Sequence, residues 1–170
     1  MFRLLAVCIL CFSSFHTSAQ YLLDYINTDF GIKFRYPDNC EIEDKSTKSQ
    51  LLLIVRYNNQ LTLTIKSIPP TKESVKGLTA RIHDKLKTED SKKYKHYFIS
   101  EIDTGSDMNI YSIMEFYDLK GIPYFKLTDL QDIPFGNFPG VMLNVDCPKT
   151  LEEVADGKAI TMMVTFKKIN

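Results

Sequence analysis

The chain is 170 residues long, 44 % hydrophobic, and formally neutral, with 21 basic against 21 acidic residues. That length suits one domain behind a short leader, and the balanced charge excludes a nucleic-acid binder that works by overall charge. Only His83 and His96 lie beyond the leader, at no ligand spacing, so neither a metal centre nor a cofactor is expected.

The chain opens on Arg3, the apolar run Leu4 to Phe12, and small residues Thr17 and Ala19 at the −3 and −1 positions before Gln20. This is the pattern of a cleaved secretory signal peptide. The run is shorter than the roughly 20 residues that span a membrane. Cys8 and Cys11 read as apolar filler within it; lipidation is the alternative, and Val7 and Leu10 are poor residues to precede a lipidated cysteine. The expectation is residues 1–19 as leader and residues 20–170 as one secreted or periplasmic domain, monomeric and without a membrane span. Losing Arg3 leaves that domain at about −1, 20 basic against 21 acidic residues.

Leu22 to Asn27 gives no clear signal. Ile32, Phe34 and Tyr36 alternate with Lys33 and Arg35, which predicts a strand with one buried face that Pro37-Asp38-Asn39 ends. Glu41 to Gln50 is polar, and the continuous apolar character of Leu51 to Tyr57 predicts a central strand covered on both faces. Asn58-Asn59 suits a tight hairpin turn into a return strand from Gln60 to Ile68. Val75, Leu78, Ile82 and Leu86 then form one stripe of an amphipathic helix, with Thr71 as its expected N-cap.

After the polar connector Thr88 to Lys95, three strands are expected near 97–102, 109–117 and 124–128. A loop from Asp129 to Gly140 and a short strand from Val141 to Val145 follow. The last segment is open between two forms. Thr150 and Glu153 make a helical capping box, whereas Ile160 to Phe166 also alternates as a strand would after Asp156-Gly157. Grouped strands around one long helix predict α+β: an antiparallel-rich sheet of about six or seven strands, packed with that middle helix and, in the first form, a C-terminal helix.

Two stretches resemble the ends of PsbP-like domains, the superfamily of the extrinsic photosystem II protein and of a Ran-binding nuclear transport factor. Gly31-Ile32-Lys33-Phe34-Arg35-Tyr36-Pro37 is similar to that family's opening strand. Leu143 to Pro148, followed by Thr165-Phe166, resembles its closing strand and terminal helix. The family commonly places Trp soon after Tyr-Pro; this chain has Asn39-Cys40 there and no Trp. The resemblance implies a C-terminal helix packed on an antiparallel sheet, and a binding or assembly role rather than catalysis. It carries over no binding residue.

Several motifs bear on chemistry. Asp103-Thr104-Gly105-Ser106 looks like the active-site string of aspartic proteases, which need two such aspartates and hence a dimer here; it also reads as a hairpin turn. Cys40 and Cys147 either bridge in an oxidising compartment or stay as buried thiols. Lys72 to Lys95 holds eight basic against four acidic residues, among them Lys72, Lys76, Lys85, Lys92 and Lys93. Such a segment can face an acidic protein or an anionic envelope polymer. Phe135 and Phe138 are a pair of aromatic anchors or a lid on the core. The sequence therefore favours a non-catalytic binding module, with a dimeric protease and a carrier for a small apolar ligand, lined by Met108, Met114, Met162 and Met163, as alternatives.

Overall fold

The computed structural model describes residues 21–89, 94–103 and 109–169. In chain order these form β1 (Leu22–Asn27), β2 (Ile32–Pro37), β3 (Cys40–Asp44), β4 (Leu52–Tyr57), β5 (Leu61–Ser67), α1 (Val75–Glu89), β6 (Tyr94–Asp103), β7 (Asn109–Leu119), β8 (Ile122–Gln131), β9 (Val141–Pro148), α2 (Glu152–Thr165) and β10 (Lys167–Lys168). Seven strands build one sheet in the order β3-β4-β5-β9-β8-β7-β6, every adjacent pair antiparallel. β1, β2 and β10 build a second, three-stranded antiparallel sheet. The α+β class, the antiparallel main sheet and the two helices are as the sequence predicts; the small sheet is an addition.

The pleat divides the main sheet into two apolar faces. On one face Tyr111, Ile113 and Leu130 meet Val75 of α1, with Leu78, Ile82 and Leu86 half-buried against them. The expected helical stripe is thus the one that docks. The other face carries Leu63, Ile65, Leu127, Leu143, Val145 and Cys147. Ala155, Ala159, Met162 and Met163 of α2 cover it, with Phe166 just beyond. α2 also packs on β2, so it lies between the two sheets. Phe34 and Phe166 stack there, centroids 5.4 Å apart and planes 8° from parallel.

The ambiguous last segment is helical because only that form buries Ala155, Ala159, Met162 and Met163 together, at spacings of three, four and seven. An extended segment would turn Met162 away from Met163. The capping box does not form. α2 instead continues from a 3-10 turn, Lys149–Leu151, with no side-chain cap at Leu151. Glu152 and Glu153 still occupy its first turn, where the helix dipole favours acid.

Other expectations are corrected in detail. Leu22–Asn27, which gives no clear signal in sequence, and Cys40–Asp44, which runs into the polar stretch, are both strands. β4 is not covered on both faces: Leu51, Leu53 and Val55 are buried, while Leu52 and Ile54 are half-exposed. β8 runs on to Gln131, which shortens the loop before β9, and β9 runs on to Pro148. The cap of α1 is Ser74, whose Oγ accepts from the Gly77 amide at 3.1 Å. Thr71 makes a local turn instead, accepting from the Glu73 amide at 3.1 Å. Asn58 does take the left-handed conformation that its hairpin needs, φ 50°.

Candidate functional site

α1 positions the basic segment. Lys72, Lys76, Arg81 and Lys85 are exposed. At about 100° per residue, Lys76 and Lys85 fall on opposite flanks of the helix, with Ala80 and Asp84 between them. The segment is therefore two basic flanks and not one continuous face. Glu73 takes the Arg81 guanidinium at 3.0 Å, and Lys76 Nζ lies 6.0 Å from the centre of the Tyr111 ring. Lys92 and Lys93 lie outside the described residues.

Phe135 and Phe138 close a small turn through paired backbone hydrogen bonds of 3.0 and 2.9 Å. Gly136, φ 51°, supplies the left-handed step between them. Phe135 is buried in the core, with Phe30, Phe138 and Phe166 within 6.4 Å of its ring centre. Its ring packs on the core and also lines the hollow beside Phe138. Phe138 is half-buried beside a surface hollow of about 490 Å³ that Phe30, Lys48 and Asn137 also line.

Cys40 and Cys147 are both buried free thiols. Sheet register explains why they do not bridge. Cys40 pairs with Tyr57, Tyr57 with Leu61, and Leu63 with Val145, so β4 and β5 stand between the two sulfurs. Three inter-strand spacings make roughly 14 Å, about twice the Cα separation a disulfide tolerates. Burial raises the Cys40 thiol, and burial with Asp146 and Glu152 pushes Cys147 up to about 11.

Asp103 ends β6 opposite Asn109 of β7, so the protease-like string spans the connection of an antiparallel hairpin. Residues 104–108 lie outside the described residues. Of the methionines considered as a ligand lining, Met162 and Met163 are core and Met108 lies outside the described residues.

Sequence reasoning passed over two polar clusters inside the fold. Lys158 of α2 is 5 % exposed; its Nζ donates to Asn39 Oδ1 at 3.0 Å and sits 3.9 Å from the centre of the Tyr57 ring. Burial lowers its pKa. On the α2 face of β8, Asp129 and Gln131 are buried, and Asp129 Oδ1 and Gln131 Oε1 have no hydrogen-bond partner. Desolvation pushes Asp129 up to about 6 against a hydrogen bond from Ser112, and Asp156 adds to the rise. Asp129 stands at the predicted start of a loop, where an acidic residue gives no signal of burial. No group of three or more metal-ligating side chains occurs among the described residues, nor does a helix long and apolar enough to cross a membrane.

No protein-family model and no curated protein matches the sequence. Solved structures similar in shape include the following two. The crystal structure of LpqN, involved in cell envelope biogenesis of Mycobacterium tuberculosis, has 11 % identity and a TM-score of 0.48 over 89 % of this chain and 86 % of that one. The crystal structure of the Saccharomyces cerevisiae Ran-binding protein Mog1p has 12 % identity and a TM-score of 0.53 over 89 % of this chain and 97 % of that one. At that identity the likeness speaks for the fold alone. The chain has a fold similar to that of Mog1p.

Proposed function

We propose that this protein is an exported, non-catalytic binding or assembly module that engages an acidic protein or an anionic envelope polymer through α1 and the segment after it. The observation that carries this reading is the asymmetry of α1. One stripe is committed to the sheet, and the exposed remainder carries Lys76, Arg81 and Lys85, with Lys72 exposed just before the helix. Arg81 is held by Glu73 at 3.0 Å. Exposed cations of this kind steer an anionic partner and fix its register more than they add raw affinity. Export follows from the leader pattern in residues 1–19.

Affinity capture from the native extracellular or envelope fraction tests the reading. A bait carrying Lys72→Glu, Lys76→Glu and Lys85→Glu loses the partner that the wild type retains, and raised salt weakens the wild-type capture. Capture that ignores both the charge reversal and the salt rejects α1 as the contact.

A further inference from the structure

The outer face of the small sheet carries a charge arrangement that the fold itself does not need. Lys33 of β2 and Lys167 of β10 are directly opposite in the antiparallel register. Like charges so placed destabilise a sheet pair. Among the described residues neither ammonium is within ion-pair distance of a carboxylate. Two residues along β2 on the same face, Arg35 adds a third cation. It engages Asp24 through Nε at 3.2 Å, an exposed contact that does not use both arms of its guanidinium fork. These four side chains, with Val164 and Thr165 at the end of α2, line a surface groove of about 330 Å³.

Val164 in the groove, and two residues on the same face of the sheet, are apolar side chains that the core does not take up. Ile26 pairs with Lys33 and Leu22 with Pro37, so both lie on the face of Asp24 and Arg35. Ile26 is 59 %, Val164 48 % and Leu22 42 % exposed. Apolar side chains around an excess of two positive charges fit a ligand that is both acidic and apolar. We infer that this groove is a docking site for an acidic protein segment, its carboxylates taken by Lys33, Arg35 and Lys167 and its apolar residues laid on Ile26, Leu22 and Val164. Asp24 already shows the chemistry within the chain, as the carboxylate that Arg35 holds. The site is separate from α1 and adds a second contact to the binding role.

The probe is a short fluorescent peptide alternating glutamate and valine, with its lysine-valine counterpart as control. Inorganic polyphosphate and phosphatidylglycerol vesicles are parallel arms. Wild-type protein binds the acidic peptide with an affinity that falls with salt. The double variant Lys33→Gln, Lys167→Gln binds it at least about tenfold more weakly, whereas Lys120→Gln, at an exposed lysine in the turn between β7 and β8, leaves it unchanged. The residues whose resonances move separate this groove from the α1 contact, so either can fail alone. Removing the opposed lysines is not expected to unfold the protein, and thermal melts verify it. Independently of any variant, backbone resonances of Lys33, Arg35, Thr165 and Lys167 shift on titrating the peptide into wild type. No salt-dependent peptide binding, equal binding by the double variant, or engagement of these residues by polyphosphate or vesicles alone overturns the inference.

Discussion

The ammonium of Lys158 lies over the face of Tyr57, 3.9 Å from the ring centre, where β4 ends beneath α2. The position is nearly sealed, and Asn39 Oδ1 is the hydrogen-bond acceptor that Lys158 meets there. A cation on an aromatic face gains about 2 kcal/mol when desolvated, and burying the charge costs a comparable amount or more. Volume should then matter more than charge. Lys158→Met keeps the unbranched stem and is expected to change stability by no more than about 1 kcal/mol in either direction. Lys158→Ala leaves a void against Tyr57 and is expected to cost about 2 kcal/mol or more. Urea unfolding of the two variants side by side checks this, and equal losses would show that the charge, not the packing, holds the site.

Asp129 supplies a pH signature of the opposite kind to the usual salt-bridged carboxylate. It is 2 % exposed, and its pKa in the fold is about 6. A carboxyl raised above its unfolded value stabilises the fold when protonated. That contribution is complete below about pH 4 and is lost as pH rises through about 6. The span is worth about 3 kcal/mol at most. Asp129→Asn removes the titration and supplies an amide donor beside the unpartnered Gln131 Oε1. The variant is expected to be more stable than wild type at neutral pH, with the gap closing towards about pH 4. Chemical denaturation at a series of pH values reads the gap directly, and a constant gap would place the titration elsewhere.

How far the fold was legible follows from where each apolar residue finds its partner. The α1 stripe could be read because Val75, Leu78, Ile82 and Leu86 report helical spacing within one segment. β1 and β3 could not, because they are edge strands with little buried surface. LLDYIN and CEIED acquire strand form only through β2 and β4. The last segment was undecidable locally, since Gly157 weakens a helix and the alternation from Ile160 permits a strand. Packing on β2, β8 and β9 decides it. The basic segment was visible in composition, but its division between two flanks of α1 depends on which stripe docks. The groove at Lys33 and Lys167 was hidden altogether, because the two lysines stand at opposite ends of the chain.

The cysteine pair gives a prediction that a disulfide would reverse. With β4 and β5 between them, Cys40 and Cys147 stay reduced in the folded monomer. Reductant is therefore expected to leave the melting temperature unchanged. Burial keeps both groups as thiols rather than nucleophilic thiolates, the more so for Cys147, near 11. Iodoacetamide at about pH 8 should label neither in the native state and both after denaturation, as mass spectrometry of the intact chain shows. A mass two hydrogens short of the dithiol, restored by reductant, would contradict the register.

Two glycines make opposite predictions for one substitution. A Cβ on Gly140 would fall 2.0 Å from the Gln131 carbonyl oxygen, with the Gln131 carbonyl carbon at 3.1 Å. Both atoms are backbone, at the mouth of the loop that joins β8 to β9, so no side chain can swing aside to make room. Gly140→Ala must separate the start of β9 from the end of β8. The Ile68 amide, which donates to the Gly140 carbonyl at 2.9 Å, would be disturbed as well. The expected cost is about 3 kcal/mol or more, or failure to fold. Gly157, on the exposed side of α2, has nothing within 4 Å of a built Cβ. There, alanine adds no clash and removes the conformational freedom that glycine keeps in the unfolded chain. Gly157→Ala is expected to stabilise by about 0.5–1 kcal/mol. Thermal melts of the two variants should thus move to opposite sides of wild type. A gain for Gly140→Ala would mean that the β8–β9 loop does not approach Gln131 as closely as described.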